Sequence, residues 1–189
     1  MTAAVTYGLE SVGVIEHGAP ALVDVDLEVP TGAITVLIGA DGAGKTTVAR
    51  VLVGLRNPDS GAVRRPSPAR IGYKPEAAGT WAELTVAENL EFVAAAHRLG
   101  RPGGDRIHAL LHVTGLVAAS DRLAGKLSGG MRQKLAVAMA ILPEPELVVL
   151  DEPTTGLDPV SRSELWRLLV RAAGEGMAVL ATTSYLDEA

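Results

Sequence analysis

The chain has 189 residues, 48% of them hydrophobic and only 3% aromatic, so alanine, valine and leucine must build one sizeable core, with subdomains rather than two independent domains. A formal net charge of -5, with no long run of either sign, argues against a nucleic-acid partner. Zero cysteines exclude disulfides, cysteine-zinc sites and thiol catalysis, and no apolar run reaches the length of a transmembrane helix. The first residues lack the basic region and apolar stretch of a signal peptide, so any membrane role is expected to come through a partner.

Much of the first 29 residues alternates apolar and polar side chains, as in Val23-Asp24-Val25-Asp26-Leu27-Glu28-Val29, which predicts an antiparallel β lobe with one wet face. Pro30-Thr31-Gly32 turns the chain into a buried strand at Ala33-Ile34-Thr35-Val36-Leu37-Ile38. A helix follows over Thr47–Val53, with Gly54 as its C-cap. Asn57-Pro58-Asp59-Ser60-Gly61 is a turn cluster before strand-like Ala62-Val63, and Arg64, Arg65 and Arg70, among prolines, read as solvated loop. Arg70-Ile71-Gly72-Tyr73 is a further short strand.

After Pro75 the pattern becomes helical. Thr85-Val86-Ala87-Glu88 is a capping box for a helix up to Gly100; Arg101-Pro102-Gly103-Gly104 predicts a break, and a second helix runs from Arg106 to Val113. His108 and His112 share a face that reads as solvated, because no third metal ligand is in view. Ser128 caps a helix ending near Leu142, and Leu147-Val148-Val149-Leu150 is a fully apolar strand ending in Asp151-Glu152. Asp158-Pro159 opens a helix to about Ala173, and Met177–Ala181 is the last strand, with Thr182-Thr183-Ser184 at its carboxyl end. Strands alternating with helices predict an α/β fold: a mostly parallel sheet core, the N-terminal antiparallel lobe, and an inserted α-helical subdomain over about residues 76–136.

The stretch between the first parallel strand and its helix, Gly39-Ala40-Asp41-Gly42-Ala43-Gly44-Lys45-Thr46, fits G-x-x-x-x-G-K-[ST] without a mismatch. Glycines let successive N–H groups turn inward around a polyphosphate, and the helix N-terminus adds its positive end. Lys45 reaches the outer phosphates as a point charge and the Thr46 hydroxyl ligates Mg²⁺, with Thr47 next in the helix. Strand, glycine loop and helix predict a nucleoside triphosphate site. Asp151, at the end of an apolar strand, is a second Mg²⁺ ligand, direct or through water.

Leu127-Ser128-Gly129-Gly130-Met131-Arg132-Gln133 is similar to the signature sequence of the ATP-binding cassette (ABC) family, and the chain resembles that family's nucleotide-binding domains from about residue 5 onward. The resemblance implies a phosphate-loop ATPase that uses ATP and Mg²⁺, with Glu152 polarising the attacking water as general base. Pro153-Thr154-Thr155-Gly156-Leu157-Asp158 matches the family's D-loop, which adds Asp158 to the nucleotide-binding candidates. It further implies a head-to-tail pair of cassettes, each ATP lying between one chain's Lys45 and the other chain's Ser128, Gly129 and Gly130.

Three positions depart from the family pattern. Glu76 stands where a Q-loop glutamine belongs, Ser184 where a switch histidine belongs, and His17 where an aromatic side chain stacks on adenine. Glu76 keeps the ability to ligate Mg²⁺. The ending Ser184-Tyr185-Leu186-Asp187-Glu188-Ala189 resembles the start of the post-switch helix in drug-exporter cassettes of the daunorubicin-resistance type. Family members continue for a further strand and helices, so a fragment or one half of a tandem cassette protein is expected. The leading reading is an ATP-hydrolysing subunit of an exporter, cytoplasmic and held at the inner face of the cell membrane by an ABC-2-type transmembrane permease. The alternatives are a degenerate cassette that binds ATP and regulates a competent partner, and, ranked last, a soluble cassette acting on ribosomes or DNA.

Overall fold

The computed structural model describes residues 5–77 and 79–185. Two sheets and five α-helices make up the fold of the described residues. Strands β1 (Thr6–Glu16) and β2 (Ala19–Pro30) form a long antiparallel hairpin, and β4 (Ser60–Arg64) pairs on the other side of β1. This is the antiparallel lobe that the alternation predicts. Strands β3 (Ile34–Ile38), β5 (Ile71–Lys74), β6 (Leu147–Asp151) and β7 (Ala178–Thr183) form a second sheet in the order β3-β7-β6-β5, with every pair parallel.

Burial on both faces explains why β6 and β7 read as unbroken apolar runs. All five residues of β6 and all six of β7 are buried. Alternate side chains go to opposite faces. Leu147, Val149 and Leu180 pack with α1 (Lys45–Val53) and the antiparallel lobe, through Val12, Val29, Val51 and Leu52. Val148, Leu150 and Val179 pack on the other face against α4 (Gly129–Ile141) and α5 (Pro159–Gly174), through Val137, Ile141, Leu165 and Leu169. Truncating a residue such as Leu169 to alanine would cost about 2–5 kcal/mol at so enclosed a position.

Between β5 and β6 every described element is helical, with a core of its own in which Val86, Leu90, Leu111, Leu116 and Leu135 meet. Helix α2 (Val86–Ala96) starts with the predicted capping box: Thr85 Oγ1 accepts from the Glu88 N–H, and the Glu88 carboxylate accepts from the Thr85 N–H. α4 belongs to both cores, because Leu135 and Met139 face α2 while Val137 and Ile141 face the sheet.

The predicted break at 101–104 is not there. Helix α3 runs without interruption over Gly100–Val113. Gly100 turns the chain at φ +59°, and Pro102 falls in the first helical turn, where no intrahelical partner awaits its missing N–H. Strand ends shift too. Arg70 closes a 3₁₀ turn rather than opening β5, and β7 continues through Thr182 and Thr183, whose pairing with Leu37 and Ile38 holds them in the ladder. The reading of 186–189 as a helix start lies outside the described residues.

Candidate functional site

The glycine loop leaves β3 at the edge of the parallel sheet and is anchored at its root, where the Gly39 N–H donates to the Thr183 carbonyl at 3.2 Å. Gly44 sits at φ +91°, and a Cβ there would lie 2.9 Å from Leu22 Cδ2 and 3.2 Å from the Ala21 carbonyl oxygen. Only glycine permits both the conformation and the approach of β2. The Lys45 ammonium is buried and folds back over the loop. It donates to the carbonyls of Gly39 at 2.7 Å and Ala40 at 3.2 Å, and lies 3.2 Å from Glu152 Oε1.

A cavity of about 360 Å³ opens above the loop. Asp41, Gly42, Gly44, Lys45, Thr46 and Thr47 of the loop and helix start line it together with Glu76 and Glu152. Four acids, Glu16, Asp41, Glu76 and Glu152, share this lining with a single cation, Lys45. A bare polyphosphate would meet net repulsion here, whereas a polyphosphate carrying a divalent cation would not.

The acidic step lies behind the cavity at the carboxyl end of β6. Asp151 is fully buried; its Oδ1 accepts from the Thr182 hydroxyl at 2.5 Å, while its Oδ2 has no hydrogen-bond partner among the described residues. A buried carboxylate oxygen left without a proton donor suits a hard cation. Together with the Thr46 hydroxyl on the cavity wall it forms a donor set that fits Mg²⁺. No three His, Cys, Asp or Glu side chains among the described residues cluster as a self-sufficient metal site, so the remaining ligands would come from a bound phosphate and water.

Glu152 holds a left-handed backbone at φ +49°, a strain of roughly 1–3 kcal/mol for a residue other than glycine. Its N–H donates to Thr182 Oγ1 at 3.1 Å, its Oε2 accepts from the Thr155 hydroxyl at 3.2 Å and the Ser184 hydroxyl at 3.5 Å, and its Oε1 faces Lys45. Loop, base candidate and switch position therefore meet at one point.

Other predicted residues lie elsewhere. Ser128 caps α4, accepting from the Met131 N–H at 3.2 Å, and with Gly129 and Gly130 it takes no part in the cavity lining. Asp158 caps α5 by accepting from the N–H groups of Val160 and Ser161, bonds that hold its carboxyl below the usual aspartate range. His17, at φ +52° in the turn between β1 and β2, is outside the lining, and its neighbours Glu16 and Pro20 are in it. Glu16 is tied there by the Thr47 hydroxyl at 3.4 Å. His108 and His112 are exposed, with ring nitrogens 3.3 Å apart.

Sequence reasoning missed Lys74. It ends β5 with 1% of its surface exposed, and burial pushes its ammonium down to about 8 from 10.5 while the carboxylates of Asp151, Glu152 and Glu76 pull the other way. The sequence held no apolar signal for it: the buried residues of β5 are Gly72 and Lys74, while the apolar Ile71 and Tyr73 are half-buried.

A parallel sheet with a glycine loop at its first strand, a buried lysine over that loop and an acidic step at a neighbouring strand end defines a phosphate-loop nucleotide-binding protein. The model of the family described as "ABC transporter" matches residues 22–155, and the chain belongs to that family as an ATP-binding domain. It is 44% identical over 181 residues to the probable multidrug ABC transporter ATP-binding protein YbhF of Escherichia coli (strain K12), covering 90% of this chain and 31% of that protein. Identity to the daunorubicin/doxorubicin resistance ATP-binding protein DrrA of Streptomyces peucetius is 37% over 203 residues, covering 97% of this chain and 60% of DrrA. The chain thus spans about a third and three fifths of these relatives. A solved structure of the ATP binding subunit of an ABC transporter superposes with a TM-score of 0.88 at 29% identity, covering 97% of this chain and 81% of that one.

Proposed function

We propose that this chain binds and hydrolyses MgATP and drives an exporter through a separate ABC-2-type membrane permease. One observation carries the hydrolytic reading: Glu152 Oε1 lies 3.2 Å from the Lys45 ammonium, so the base and the phosphate-binding cation converge on one cavity. Lys45 would leave its carbonyl partners for the outer phosphates of ATP, the loop N–H groups would hold the inner ones, and Glu152, released from the ammonium, would orient the attacking water. Thr46 and Asp151 would hold Mg²⁺, with Glu76 beside them; the cation would supply charge stabilisation at the phosphates.

The exposed Ser128 hydroxyl and the N–H groups at the start of α4 suit a phosphate, yet they lie outside their own cavity. That placement supports a second cassette whose signature would cover this chain's ATP. No described helix is long and apolar enough to cross a membrane, and the proposed permease would hold the chain at the inner membrane face. The drug-resistance names of the relatives support export.

A second reading, slow turnover, rests on Ser184. Its hydroxyl reaches Glu152 at 3.5 Å, and it is shorter and uncharged beside the histidine expected there. The proposal is tested with Glu152→Gln. That variant should bind MgATP within about threefold of wild type, release phosphate at least about 100-fold more slowly, and accumulate as an ATP-bound pair in light scattering. Unchanged phosphate release would overturn the assignment of Glu152.

A further inference from the structure

Lys74 is a charged side chain in the innermost layer of the molecule, and nothing in the assigned chemistry uses it. Its three N–H donors have three acceptors, all main-chain carbonyls: Asp151 at 2.7 Å, Glu152 at 3.0 Å and Glu76 at 3.3 Å. Those residues supply the acidic step and the altered Q-loop position. A lysine kept only for packing would be replaced without loss by an apolar side chain of the same length, since burying a charge is unfavourable. Here the charge lies where the carbonyl ends of β5 and β6 and three carboxylates concentrate negative potential.

We propose that Lys74 is a positioning residue for hydrolysis, its ammonium tying the main chain at Glu76 to the Asp151–Glu152 step and so fixing where the Glu152 carboxylate stands. The proposal rests on the reading of Glu152 as the base. Two lysines bracket that residue. Lys45 meets its carboxylate from the cavity side at 3.2 Å, and Lys74 meets its carbonyl from the core side. Lys74 itself is held in register by parallel pairing with Leu150. The left-handed backbone of Glu152 is thereby clamped at its carbonyl by Lys74 and at its N–H by Thr182. Because the third bond goes to Glu76, two residues further along the chain, a shift of that loop moves the base with it.

The test compares Lys74→Met, which keeps length without donors, with Lys74→Arg, which keeps charge and donors. The Met variant should bind MgATP within about threefold of wild type while kcat falls at least about tenfold, a split that general loss of structure would not produce. Its Glu152 amide should exchange at least about tenfold faster, with the amides of β3 and α1 unchanged. The Arg variant should recover part of both losses. Unchanged exchange and kcat in a folded Met variant would overturn the proposal, as would an Arg variant no better than Met. Should the Met variant fail to fold, Lys74→Gln takes its place under the same outcomes, and loss of folding in all three overturns the proposal by making Lys74 a residue of the fold. If wild type neither binds nor hydrolyses MgATP, the reading of the function fails, while the exchange measurement still decides whether the tie exists.

Discussion

Two walls face each other across the cavity, and they are built on different principles. The loop between β3 and α1 works through its main chain: its N–H groups, the left-handed Gly42 and Gly44, and the start of a helix, with Lys45 as its one cation. The opposite wall, at the carboxyl ends of β5, β6 and β7, works through side chains: Glu76 and Glu152 line the cavity, and Lys74, Asp151, Thr182 and Ser184 stand behind them. A main-chain site tolerates change around it so long as its glycines remain. A side-chain site is altered residue by residue, and this one carries Glu76 and Ser184 where the sequence resemblance implies glutamine and histidine. The loop should therefore bind MgATP in the ordinary way, and the strand ends should set an unusual turnover.

The largest effect expected falls on the loop wall. Lys45→Ala removes the single cation lining the cavity, and MgATP affinity should drop at least about 100-fold, near 2.7 kcal/mol, in a variant that still folds. Isothermal calorimetry beside a thermal melt checks it; a folded variant with unchanged affinity would break the comparison at once.

A smaller effect sharpens the other wall. Glu76→Gln with Ser184→His takes one negative charge from the cavity and restores a side chain long enough for the outer phosphate. Steady-state phosphate release should rise about tenfold, about 1.4 kcal/mol of barrier, while MgATP affinity changes much less. If the wild type already turns over at about 10 s⁻¹, an ordinary enzyme rate, the strand-end wall is not impaired and the contrast fails.

The smallest effect serves as a control away from both walls. The two cap bonds of Asp158 favour its charged form, so its folded value lies below the ordinary 3.8. A depressed carboxyl contributes stability in full above 3.8 and loses it as pH falls through the folded value. Asp158→Asn keeps a capping side chain without the titration, so its melting temperature should fall less than wild type's below that pH, with single-chain ATP binding unchanged. Identical acid-side melting curves would deny the cap its charge dependence.

What could be read from the sequence follows how local each cause is. The glycine loop, the Thr85–Glu88 capping box, the Ser128 and Asp158 caps and the fully apolar β6 are each set within a few residues, and all stand where they were expected. The start of α3 was misread because Pro102 and two glycines look like a break unless they are counted as a first turn. The rest depended on distant partners. Lys74 meets acceptors 77 and 78 positions away, and Asp151 finds its hydroxyl donor on β7 through the pairing of two parallel strands. Near the mouth, Glu16 lines the cavity while His17 does not, a distinction that rests on a left-handed turn no side-chain pattern announces.

The central claim is that the loop wall recognises phosphate bound to a divalent cation. Calorimetric titration of the wild-type chain with ATP in Mg²⁺, with ATP in EDTA, and with adenosine tests it most directly. The account predicts one saturable MgATP site per chain, much weaker binding in EDTA because four acids line the cavity, competition by magnesium pyrophosphate, and no competition by adenosine. Binding that adenosine displaces, or that is indifferent to both Mg²⁺ and pyrophosphate, would contradict it.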